Sequence, residues 1–136
     1  MVIAGDNLFN AGLGDFIAFA RRRSPCVSIG VYRLKNRKDA VKYGVVMVDK
    51  DAKIVDFQEK PKRHKSSLVA MCLYYIPKER LGLIDKYMRI RKGKADAMGK
   101  YISWLKAKVK TYAYVFEGKW YDIGDHKYLN AAKRSF

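Results

Sequence analysis

A chain of 136 residues is one domain by length, and 49% hydrophobic with 31% charged residues is a globular composition, without repeats or low-complexity tracts. Twenty-nine basic residues against thirteen acidic ones leave a formal charge of +16, a positive field open to phosphorylated small molecules, nucleic acid or an acidic surface. The longest apolar run, 68–76, is too short to cross a bilayer, and no basic segment followed by an apolar stretch opens the chain, so a cytoplasmic protein without membrane contact is expected.

In chain order, Val2-Ile3-Ala4 predicts a short buried parallel strand ending at Gly5-Asp6-Asn7. Ligands in open α/β sheets gather beyond the carboxyl ends of such strands, which aims Asp6 at a site. A turn or helix-capping aspartate is the competing reading. Residues 15–23 predict a helix, with Asp15 near its start and arginines at its end, where the helix dipole favours them. Gly12 and Gly14 lack a third glycine at phosphate-loop spacing and do not count as a nucleotide-binding loop. Pro25 breaks the helix, 26–32 alternate into a strand, and 33–42 form a charged connection that is at most partly helical.

A β-hairpin follows: an apolar run over 43–49, the polar turn Lys50-Asp51-Ala52-Lys53, and a second run over 54–61 stopped by Pro61. Glu59 and Lys60 are adjacent opposite charges at that strand end, an arrangement able to grip a hydroxyl and a phosphate together. An ordinary exposed pair closing a hairpin is the plain alternative. The basic loop 62–67 leads to 68–76, an unbroken apolar strand buried on both faces. Pro77 starts a helix of loose periodicity. The clearest helix spans 96–110, where Met98, Tyr101, Ile102, Leu105 and Val109 recur at three and four with lysines opposite. A strand over 112–116 precedes Trp120-Tyr121-Asp122-Ile123-Gly124-Asp125, where Asp122 leaves a strand flanked by bulk that would desolvate it, and a last helix covers 126–134.

Cys26 and Cys72 lie in apolar runs outside any close-spaced metal or redox motif, as buried thiols of a reducing compartment do. The basic clusters at 21–23, 35–38, 60–65 and 89–94 fall at element ends and turns rather than on one helix stripe. Such scatter solvates a surface, so no nucleic-acid partner is expected.

Gly5-Asp6-Asn7, Tyr43-Gly44-Val45-Val46, Phe57-Gln58-Glu59-Lys60-Pro61, Asp96-Ala97-Met98-Gly99 with Ile102-Ser103-Trp104-Leu105, and Trp120-Tyr121-Asp122-Ile123-Gly124 form an ordered set. In order and spacing that set resembles the sugar-1-phosphate nucleotidyltransferases, among them the glucose-1-phosphate thymidylyl- and uridylyltransferases. The resemblance implies an α/β fold, a mostly parallel sheet flanked by helices with an added β-hairpin, as an incomplete Rossmann-like domain. It implies that Asp6 and Asp122 hold the catalytic Mg²⁺, a hard cation that favours one or two carboxylates, waters and substrate phosphates. Glu59 resembles the residue that binds sugar hydroxyls, Lys60 the one that neutralises the sugar phosphate, and Gly44 a backbone contact to the sugar. Asn7 and Trp120 complete the implied substrate-binding set, while Asp6, Lys60 and Asp122 are the implied catalytic residues. The family reaction is attack of a sugar-1-phosphate oxygen on the α-phosphorus of a nucleoside triphosphate, which requires positioning and charge neutralisation rather than a nucleophilic side chain.

The sequence also departs from that pattern. The family's opening glycine-rich loop, with the arginine and lysine that bind the triphosphate, has no counterpart in residues 1–136. The chain is therefore expected to be the C-terminal sugar- and metal-binding part of such a domain with the nucleotide-binding part absent, inactive by itself, and either self-associating or paired with a chain that supplies the rest. A non-catalytic sugar-phosphate-binding or regulatory module is the alternative. Cys72 stands where relatives usually carry glycine and Asp125 where many carry threonine.

Overall fold

The computed structural model describes residues 1–93, 97–124 and 126–133. Asp96 and Asp125, both part of the motif reading, lie outside the described residues. Among the described residues, eight strands and four helices run in the order β1 (Val2–Ile3), β2 (Asn7–Phe9), α1 (Gly14–Arg22), β3 (Val27–Arg33), β4 (Gly44–Val48), β5 (Ile54–Glu59), β6 (Leu68–Tyr75), α2 (Gly82–Ile90), α3 (Met98–Lys106), β7 (Thr111–Phe116), β8 (Trp120–Asp122) and α4 (His126–Lys133), with 3₁₀ turns at Arg37–Lys42 and Lys78–Arg80.

The main sheet is ordered β5-β4-β6-β3-β7, with β1 added beside β6. It is a mixed sheet flanked by helices. The α/β class stands, but the expected mostly parallel pairing is corrected: β3 and β7 run parallel, whereas β1–β6, β3–β6, β4–β5 and β4–β6 are antiparallel. The strand at Val2 is corrected in the same way. It pairs antiparallel with β6, and its side chains are exposed rather than buried. Two or three apolar residues carry too little pattern to specify either the direction of a partner or which faces are covered.

β3 and β6 are the two central strands, and both carry long buried runs. On one face, Val27, Ile29, Val31, Ala70, Tyr74 and Phe57 pack with Tyr101, Ile102 and Leu105 of α3 and Tyr87 of α2. Phe16 of α1 packs the other face with Met71, Leu73 and Phe116. Full burial of Ile102 and Leu105 stabilises by about 1.5–3 kcal/mol each, which anchors α3 on the sheet.

The hairpin forms where expected. Its turn is set by Asp49, whose carboxylate accepts from the amides of Asp51 and Lys53 at 2.9 and 3.0 Å, with Ala52 at φ +63°. β2 and β8 form a separate ribbon with Asn7 opposite Asp122 and Phe9 opposite Trp120. That ribbon brings the two ends of the chain together.

Candidate active site

Four segments converge beside α3. Asp6 lies in the turn between β1 and β2, where its carbonyl accepts from the Ile123 amide at 2.7 Å and so fixes Asp122 alongside it. Gly124 follows, its amide donating to Asp122 Oδ1 at 3.2 Å. A Cβ built on Gly124 would lie 3.3 Å from Asp122 Oδ1 and 3.5 Å from Asp6 Oδ2, so both carboxylates reach one point in space. Like charges converging this way disfavour one another unless a cation joins them.

The hairpin supplies the next wall. Gly44 faces Glu59 across the β4–β5 ladder. A Cβ at Gly44 would press on the Phe57 ring at 2.5 Å and approach Glu59 Oε2 at 3.3 Å. Glycine at 44 is thus required by the packing of Phe57 beneath the site as well as by any contact above it. Lys60 adopts φ +43° while its amide donates to the Tyr43 carbonyl at 3.0 Å. A non-glycine residue held in the left-handed region costs on the order of 1–3 kcal/mol, and such strain collects at functional positions.

Gly99, in the first turn of α3, closes the wall. A Cβ there would overlap the Glu59 carboxyl outright. Glycine inside a helix costs about 1 kcal/mol relative to alanine, so its place in a helical pattern was the available signal for a packing role that sequence reasoning missed. The floor comes from β6, where Ala70, Cys72 and Tyr74 point into the same space. Cys72 sits at φ +52°, and the β3–β6 register shifts between Gly30 and Val31 at the same place. This backbone favours glycine, so a cysteine here is held against its conformational preference.

Asp6, Gly44, Glu59, Lys60 and Asp122 line one cavity of about 190 Å³, together with Lys42, Tyr43, Phe57, Ala70, Cys72, Tyr74, Met98 and Gly99. Burial pushes the Cys72 thiol above its ordinary value, with Asp6, Glu59 and Asp122 adding to the shift and a hydrogen bond to Tyr74 opposing it. Burial likewise drives the Tyr74 phenol upward, reinforced by Cys72 and Glu59. Both groups are therefore neutral at physiological pH, and the charge in the cavity rests on three carboxylates and two lysines.

Two expected substrate residues sit one layer back. Asn7 donates to Asp6 Oδ1 at 3.1 Å and accepts from Trp120 Nε1 at 2.6 Å. Trp120 packs against Tyr32 and Tyr43 at centroid distances of 5.5 and 5.3 Å. It faces an adjacent depression of about 150 Å³ bordered also by Asp39, Tyr121 and Asp122. Asn7 and Trp120 orient Asp6 without lining the main cavity.

Comparison with known proteins agrees with this geometry. Residues 1–135 match the family model described as Nucleotidyl transferase. The chain is 28% identical over 126 residues to a glucose-1-phosphate adenylyltransferase of Clostridium kluyveri, covering 91% of this chain and 33% of that protein. It is 32% identical over 127 residues to the Thermomicrobium roseum enzyme of the same name, covering 91% and 29%. The fold superposes with a TM-score of 0.83 on a Bacillus anthracis crystal structure described as a candidate glucose-1-phosphate thymidylyltransferase in complex with sucrose, at 21% identity over 98% of this chain and 52% of that one. The chain thus spans about a third of the length of the curated relatives it matches. With a family model matched across nearly its whole length, the chain belongs to the nucleotidyl transferase family.

Proposed function

We propose that this chain is the sugar-phosphate and metal-holding side of a centre that joins a sugar 1-phosphate to a nucleoside triphosphate with release of pyrophosphate. The observation that carries the proposal is the convergence of Asp6, the adjacent Glu59 and Lys60, and Asp122, drawn from three separate segments, on one cavity. Glu59, laid against Gly99, presents acceptors for sugar hydroxyls. Lys60, at the cavity rim, offers a point charge to the phosphate of the sugar, and Lys42 adds a second positive charge beside it.

Asp6 and Asp122 suit a hard divalent cation, because two carboxylates around one point leave coordination positions for water and substrate oxygens. Bound there, Mg²⁺ supplies charge neutralisation for the reacting phosphates. Asn7 and Trp120 keep Asp6 in place. The chain's own residues thus bind and orient the sugar phosphate, which is most of what phosphoryl-group chemistry asks of a protein.

Residues 1–136 carry no glycine-rich loop to cradle a triphosphate. On this reading residues 1–136 bind the sugar phosphate, and turnover further requires contacts to the triphosphate. The outer edge of β1, with Val2 and Ile3 exposed, is where further strands would add. The test is calorimetric titration of Mg²⁺ with glucose 1-phosphate present. Binding should be lost in Asp6→Asn and in Asp122→Asn alike, and parent-like binding by either variant refutes the shared site.

A non-catalytic sugar-phosphate-binding module is the second reading, favoured by a cavity whose lining between residues 6 and 122 is enough to hold a sugar phosphate. The two readings part when the chain is mixed with a separately made nucleotide-binding segment from a relative. Release of pyrophosphate from any nucleoside triphosphate plus glucose 1-phosphate supports the enzyme; continued silence with intact sugar-phosphate binding supports the module.

A further inference from the structure

The hairpin has two faces, and the one turned away from the cavity above holds a larger space. Phe57 and Glu59 of β5 point toward α3, while the alternate residues Asp56 and Gln58, with Val45 and Met47 of β4, border a cavity of about 340 Å³. Arg63, His64 and Lys65 complete its lining. They belong to the loop that follows Lys60, and that loop is tied down. The Arg37 guanidinium donates to the His64 carbonyl at 3.5 Å, His64 Nδ1 lies 2.9 Å from the Ser66 carbonyl, and the Leu34 amide donates to the Ser67 carbonyl at 2.9 Å.

The charges there are unbalanced. Asp56, the acid of the lining, is already occupied: it accepts from the Phe57 amide at 2.9 Å and from Gln58 Nε2 at 2.8 Å, and it pairs with Lys106 at 3.4 Å. Among the described residues, Arg63 and Lys65 make no ion pair. Two uncompensated cations and a histidine over an apolar floor suit a ligand that joins an anion to an apolar body.

We propose that this second cavity binds a small phosphorylated ligand, its phosphate held by Arg63 and Lys65 and its apolar body laid on Val45 and Met47. The site is independent of the function assigned to the first cavity. Arg63 suits the role because its planar fork can engage two phosphate oxygens at once, and Lys65 adds a point charge.

The test is ¹H–¹⁵N NMR titration of the whole chain with phenyl phosphate, and with inorganic phosphate in parallel, at physiological salt. The Met47 and Gln58 amides should shift saturably, with inorganic phosphate binding several-fold more weakly. The double variant R63A/K65A should weaken phenyl phosphate binding ten-fold or more, while K86A/R89A, which removes equal charge from α2 on the opposite side of the sheet, should leave it unchanged. The proposal fails if the shifts centre on Gly44 and Gly99, if no shift saturates, if the control pair weakens binding equally, or if the two anions bind alike.

Discussion

The two halves of β6 share β3 as a neighbour on one side, differ in the strand on the other, and do different work. Leu68, Val69 and Ala70 lie in a regular ladder between β3 and β4, and all three are buried. Leu73, Tyr74 and Tyr75 continue along β3, but their other neighbour is β1, an exposed two-residue strand. Between the halves Met71 and Cys72 have no partner in the β3 register, and Cys72 turns to φ +52°. Both halves pack on the helices, Leu68, Ala70 and Tyr74 in the core with α3 and Met71 and Leu73 with Phe16 of α1. At the irregular half the backbone departs from the ladder, and there Cys72 and Tyr74 form the floor of a polar cavity. A regular ladder and a break that shapes a cavity thus meet along a single strand, and variants of the packing and of the cavity should report separately.

The largest effect should come from the packed side. Ile102 is fully buried on α3 against β3 and β6. Ile102→Ala removes that contact and leaves a void, so unfolding free energy should drop by about 2–5 kcal/mol. Urea denaturation followed by circular dichroism measures it. A loss under about 1 kcal/mol would mean that α3 is not seated as described.

On the cavity side, Lys60→Ala should weaken glucose 1-phosphate binding by roughly ten- to a hundred-fold, since a charge-assisted contact is worth about 1.5–3 kcal/mol. Free glucose, lacking the phosphate, should bind the variant and the parent equally in the same calorimetric titration. Equal losses for both sugars would remove Lys60 from the phosphate and return it to the role of a hairpin charge.

A third effect concerns alkaline pH. Cys72, Tyr74 and Tyr101 are all raised, each chiefly by burial. Burial favours the neutral acid, so the unfolded chain loses these protons at a lower pH than the native one. Stability from these groups is therefore fully present below the ordinary thiol value of 9.0 and declines as pH rises beyond it. The decline for Tyr74 approaches about 1.4 kcal/mol per pH unit once the unfolded phenol ionises. Urea midpoints measured from pH 7 to 11 should be level at first and then fall; a level profile throughout would show that these side chains are wetter than the packing implies.

Much of this site was legible before the fold was known. Asp6, Glu59, Lys60 and Asp122 could be singled out because a charged residue beside an apolar strand end or an aromatic cluster violates simple patterning, and the structure does bring them together. The hairpin was legible through its polar turn, and α3 through its three-and-four spacing. Strand direction was not, because β1 is too short to carry a pattern and its antiparallel seat depends on a partner some seventy residues away. Gly99 could be quoted within a motif, but its packing role could not be read there: what makes it necessary is Glu59, a neighbour only in space. Asn7 and Trp120, expected to bind substrate, lie one layer behind the cavity, and the bond between them belongs to the β2–β8 ribbon, which periodicity does not reveal.

The smallest effect is the sharpest probe of the irregular half of β6. Cys72→Ala trims a sulfur and keeps a Cβ in the left-handed region, so it loses burial without relieving strain. Cys72→Gly trims more but frees the backbone, and the relief of about 1–2 kcal/mol offsets the lost contacts and the added freedom of the unfolded chain. The glycine variant should therefore be at least as stable as the alanine variant, with the parent within about 1 kcal/mol of both. At an ordinary strand position glycine would be the worse of the two by about 0.5–1 kcal/mol. Thermal or urea unfolding of the pair reads this inversion directly. Were glycine the less stable, Cys72 would be an unstrained strand residue, and the distinction between the two halves of β6 would rest on the exposure of β1 alone.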